Sequence, residues 1–110
     1  MNKSKKVMNF LSDLQALKTD LDLFNSLPLE KKDKQFGIVL KEFNLAQKSF
    51  REIPIVELIG AGNDVSTILK CDILLAMPIK DLVIDIVTCV EGFFALIDLI
   101  KIEYKKTHAT

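Results

Sequence analysis

The residues that could do chemistry in this chain are few, and their spacing disfavours it. The two cysteines, Cys71 and Cys89, stand 18 positions apart without a Cys-x-x-Cys pair, and the single histidine, His108, lies among the last three residues. Zinc takes about four nitrogen, sulfur or oxygen ligands, commonly in close pairs, so no structural metal site is expected. Nucleophilic catalysis needs a base within reach of the nucleophile. With no histidine in the body of the chain and no Gly-x-Ser-x-Gly elbow, neither cysteine has its usual activator. Both lie in apolar runs, Leu69-Lys70-Cys71-Asp72-Ile73 and Ile86-Val87-Thr88-Cys89-Val90. They read as small buried hydrophobes in a reducing cytoplasm.

Three further constellations invite a chemical reading. Gly60-Ala61-Gly62 resembles the start of a phosphate cradle, but the Lys-Ser/Thr pair of a P-loop is missing and Asn63-Asp64 follows instead. A dinucleotide fingerprint would need a third glycine and a preceding strand, so a turn between helices is the better reading. Asp81 and Asp85, four positions apart, could hold a hard cation, yet no loop with calcium-ligand spacing accompanies them. Lys34, Lys41 and Lys48, with Lys31, Lys32 and Arg51 nearby, could contact phosphates. Against that stand a net charge of zero and the lack of a helix-turn-helix with arginine or asparagine readers. The expectation is a protein that is no enzyme and holds neither cofactor nor metal.

The elements that must carry these residues are helical. Val7, Phe10, Leu14, Leu17, Leu21 and Phe24 recur at alternating intervals of three and four, an a/d seam that predicts a helix ending near Asn25-Ser26. Pro28 disfavours helix in the residue before it and suits the first turn of the next. Phe36, Val39, Phe43, Ala46, Phe50 and Ile53 then repeat the pattern, so the two segments form an antiparallel hairpin. Gly37 inside this run suggests a kink or close packing. Pro54 ends the second helix, with one or two more turns expected over Pro54 to Ile59.

Beyond Gly60–Asp64 the periodicity predicts a helix over about Val65 to Ala76, capped by Asn63 or Asp64. A long one follows from Ile79 to about Lys105. The rival for the last region is strand, since Val83 to Val90 is rich in β-branched residues. Its polar positions recur at three and four rather than two, which favours helix. The fold class is therefore all-α, a four- to five-helix bundle over residues 1–110, with residues 1–5 and 106–110 as frayed tails.

Composition sets the function classes. The chain has 110 residues, 49% hydrophobic and 27% charged, which suits one globular domain and excludes intrinsic disorder. Its basic start is followed too soon by Asp13 and Lys18 for a signal peptide. The longest uncharged stretch in the apolar half, Ile73 to Ile79, is far short of the ~18 residues of a membrane span. Residues 1–55 carry ten basic and seven acidic side chains, and residues 56–110 carry five and eight. The final helix is apolar around most of its girth, so it is either the hub of the bundle or a surface for another chain, including a second copy.

Asp81, Asp85, Glu91 and Asp98 fall roughly on one side of that helix. The reading is a small cytoplasmic protein that binds another protein without catalysis. Most concretely it is an immunity- or antitoxin-type inhibitor whose acidic helical surface blocks a basic, nuclease-like toxin. The alternatives are a helical regulator binding nucleic acid through Lys34, Lys41 and Lys48, or a structural homo-oligomeric module.

Overall fold

The computed structural model describes residues 4–70 and 82–107, and these form helices and short turns with no strand among them. Helix α1, Lys5–Ser26, begins where the Ser4 hydroxyl accepts the Val7 N–H at 3.2 Å, satisfying one of the amides that a helix start leaves open. All six residues of its predicted seam are buried. At the far end Leu27 is extended, as the following proline demands. The Lys32 ammonium donates to the Phe24 carbonyl at 2.5 Å and lies 4.4 Å from the Phe24 ring centre. A cation there complements the negative end of the helix dipole.

A 3-10 turn, Leu29–Lys31, leads into α2, Lys32–Arg51. Phe36, Val39, Phe43, Ala46 and the following Ile53 are buried against α1, with Phe50 half-buried. Ring pairs fix the antiparallel register: Phe24 meets Phe36 at 5.6 Å and Phe10 meets Phe50 at 5.0 Å. Aromatic pairs at such separations add about 0.5–1.5 kcal/mol each beyond area burial. Gly37 neither kinks the helix nor admits a close neighbour. It is exposed, α2 runs through it, and a Cβ there would meet nothing within 4 Å.

Past the predicted short turn, Ile55–Leu58, the chain reverses at Gly60, whose φ of +94° is open to glycine at little cost. Helix α3 spans Gly62–Leu69. Its cap position is Ala61, two residues before Asn63, and Asn63 and Asp64 lie in its first turn. It also stops well before Ala76, because Lys70 takes the left-handed conformation (φ 53°, ψ 47°) that closes a helix. The expected stretch Cys71 to Ala76 lies outside the described residues.

Helix α4, Val83–Thr107, runs parallel to α1 along the hairpin. It begins at Val83; Ile79 to Asp81 lie outside the described residues, and Leu82 supplies the carbonyl for the first helical hydrogen bond, to Ile86. Ile86, Cys89, Val90, Phe94 and Ile97 enter the core. Phe94 packs edge-on to Phe43 and Phe50 at 5.6 and 6.0 Å. Tyr104 closes the far end against Phe36 and Phe24 at 4.2 and 5.6 Å. The molecule measures 50 × 27 × 18 Å, so its short axis holds two packed helix layers.

Candidate functional site

A helix advances about 100° per residue, which sorts α4 into two sides. Ile86, Val90, Phe94 and Ile97 share the inner side and are buried. Ile84, Thr88, Glu91, Ala95, Asp98, Leu99 and Ile102 come up on the outer side. Among them the large apolar side chains stay exposed, Ile84 at 71%, Leu99 at 61% and Ile102 at 51%. The helix completes the core with one side and leaves an apolar stripe on the other. Gly92, beside that stripe, has no neighbour within 4 Å of a would-be Cβ.

Of the four carboxylates singled out from the sequence, the three described ones do not form a single row. Glu91 and Asp98 are exposed and seven residues apart, which puts them on one flank of the stripe at about 10 Å along the axis. Asp85 lies a third of a turn away from that flank. It is partly buried, and its Oδ2 is shielded from solvent without a hydrogen-bond partner. Its place in the first turn of α4 offsets this, because the positive end of the helix dipole favours a carboxylate there. Asp81 lies outside the described residues.

Sequence reasoning missed a polar seam between α1 and α2. Ser49 donates a short hydrogen bond to the Asp13 carboxylate, and Gln35, itself buried, donates to the Asp20 carbonyl at 2.9 Å. Between them Glu42 meets Asp20 with Asp13 close by. Burial, then a hydrogen bond to Asp20 and the charges of Asp20 and Asp13, push the Glu42 carboxyl up to about 7, with Lys41 opposing. Two ionised carboxylates in contact would both be acceptors, and Glu42 Oε2 indeed has no donor. A proton on Glu42 resolves this by making it the donor to Asp20. The signal in the sequence was the seven-residue spacing of Asp13 with Asp20 and of Glu42 with Ser49. Only the antiparallel register makes partners of them.

At the other end of the hairpin the Tyr104 hydroxyl donates a short hydrogen bond to the Asp33 carboxylate. That bond, with desolvation and the Asp33 charge, pushes the phenol up to about 12. Lys34, Lys41 and Lys48 all lie exposed on the outer side of α2, none held in an ion pair among the described residues. No group of three metal-ligating side chains occurs among the described residues. No known family model, curated protein or solved structure matches the chain.

Proposed function

We propose that this protein works by occupying another protein, without catalysis, and that the outer side of α4 is the contact surface. The observation that supports this is the stripe of Ile84, Leu99 and Ile102, more than half exposed and flanked by Glu91 and Asp98. Exposed apolar side chains gathered on one helix face and rimmed by charge have the anatomy of a protein interface. The stripe supplies the affinity, at about 25 cal/mol per Å² of apolar surface covered. The flanking carboxylates select a basic partner and speed its approach. The concrete form is an inhibitor of the immunity or antitoxin type, acting in the cytoplasm on a basic, nuclease-like toxin. No helix among the described residues is long and apolar enough to cross a membrane.

The test pairs Glu91→Lys with Asp98→Lys, both exposed, and leaves Asp85 alone because one of its oxygens is buried. The double variant should keep its helical circular dichroism and associate with the native partner at least tenfold more slowly at low salt, with the gap closing at high salt. Equal rates at both ionic strengths would leave these carboxylates as solubilising groups. A second reading rests on the exposed Lys34, Lys41 and Lys48. Binding of DNA or RNA that weakens linearly on a log–log salt plot, and that Lys41→Glu abolishes, would put nucleic acid in place of a protein partner.

A further inference from the structure

Two outer faces of this molecule carry opposite charge at the same period. On α2, Lys34, Ile38, Lys41, Leu45 and Lys48 follow one another at intervals of four and three, and all are exposed. That spacing keeps them in one stripe, with successive lysines about 10 Å apart along the axis. From Lys34 to Lys48 the one carboxyl is Glu42, which turns into the seam with Asp20. On α4 the outer side carries Glu91 and Asp98, also seven apart, beside the small side chains of Thr88 and Ala95, again seven apart. The Thr88 hydroxyl is spent on the Ile84 carbonyl at 2.8 Å. From Val83 to Ile100 this helix holds three carboxylates and no lysine, and Lys101, Lys105 and Lys106 follow with Glu103 in its last seven residues.

Neither set of charges can satisfy the other within one chain. The two helices meet through Phe43 and Phe94, 5.6 Å apart, so their outer sides face away from each other. Among the described residues none of the three lysines and neither carboxylate is held in an ion pair. Between two chains they fit. With α2 of one copy laid antiparallel on α4 of another, Lys41 comes level with Glu91 and Lys34 with Asp98. In the same register Leu45 comes level with Thr88 and Ile38 with Ala95, so each large apolar side chain meets a small one. Lys105 and Lys106 fall past the start of α2 at Lys32 and stay outside the contact. We infer that the protein associates with itself head to tail, the lysine stripe of α2 in one copy seated on the outer side of α4 in the next. This seating rests on the use of α4 as a contact surface and names a second copy as what holds that surface until a foreign partner displaces it. Opposite charges across the contact fix its register and speed encounter. Because the two faces differ, a dimer keeps one of each free at its ends and goes on adding copies unless a ring closes.

Sedimentation equilibrium of the full chain reads the result, with circular dichroism to confirm that each variant is folded. The wild type should form species larger than a dimer as concentration rises, and should shift toward monomer at about 1 M salt, where the screening length falls to about 3 Å. Glu91→Lys with Asp98→Lys makes both faces basic, and Lys34→Glu with Lys41→Glu and Lys48→Glu makes both acidic. All five positions are exposed, so the fold tolerates the changes. Each variant alone should associate at least tenfold more weakly than the wild type, and the two mixed in equal amounts should recover the association. A wild type that stays monomeric at every concentration would overturn the inference, as would a mixture that gains nothing over its parts. A triple lysine variant that dimerises by itself would give α4 to a twofold pairing with its own copy and would also overturn it. Native-partner kinetics keep the two readings apart. If the wild type is monomeric while Glu91→Lys with Asp98→Lys still slows the partner, self-association falls and the use of α4 stands.

Discussion

At the scale of single residues, two groups carry protons where their neighbours force them to. Glu42 holds its proton up to about pH 7, against an ordinary value of 4.5. A carboxyl raised in the folded state stabilises the fold only while it is protonated. That contribution is full below about 4.5 and is lost as pH climbs through 7. Thermal stability should therefore decline between pH 5 and 8, and Glu42→Gln, which keeps a donor toward Asp20 and cannot ionise, should flatten the decline. Identical slopes for wild type and variant would show that Glu42 ionises freely. Tyr104 offers a cleaner optical test, since it is the chain's single tyrosine. Its absorbance change near 295 nm should centre near pH 12, and Asp33→Asn should bring it back toward 10. The phenol is favoured protonated, so this contact helps the fold below pH 10 and is lost through 12. A wild-type midpoint at 10 would mean that the Asp33 contact does not persist in solution.

At the scale of elements, the hairpin was legible residue by residue and the second half was not. The α1 seam and the α2 core positions follow from spacing alone, because each helix has one apolar side and the other is polar. Helix α4 is apolar on both sides, so periodicity alone could not place Phe94 inside and Leu99 and Ile102 outside. That choice belongs to the hairpin, whose Phe43 and Phe50 rings claim Phe94. The early stop of α3 was hidden for a different reason. Lysine seldom takes the left-handed conformation, so Lys70 gave no warning of a helix end. Gly37 tests the regularity of α2. With a helical backbone and open space around it, Gly37→Ala should raise stability by about 0.5–1 kcal/mol in urea denaturation, chiefly by restricting the unfolded chain. A loss of stability instead would mean that the helix bends or packs at this point.

At the scale of the whole molecule, the all-α architecture was readable from turn residues and periodicity, and the covalent state was not. Two cysteines in apolar runs read as free thiols, yet Cys89, which is buried, is disulfide-bonded. Sequence spacing says nothing about whether two Cα atoms approach within the ~4.4–6.8 Å that such a bond requires. The one other cysteine in the chain, Cys71, lies outside the described residues. A bond between cysteines restricts the unfolded ensemble, a stabilisation of about 2–4 kcal/mol for loops of ordinary length. Protein purified without reductant should therefore show no reactive thiol even in denaturant, and reductant should lower its thermal midpoint by roughly 10 °C or more. The same chemistry examines the proposed cytoplasmic setting, since disulfides persist in oxidising compartments and are rare where glutathione keeps thiols reduced. Thiols blocked at the moment of cell lysis report the state in place. Extensive blocking means that the chain works reduced, with Cys89 as a buried thiol and the lower midpoint as its working stability. Little blocking means that it works oxidised, outside the reducing cytoplasm or with a bond stable enough to resist it. A midpoint indifferent to reductant, with thiols that label freely in denaturant before any reductant is added, would remove the bond from the native state altogether.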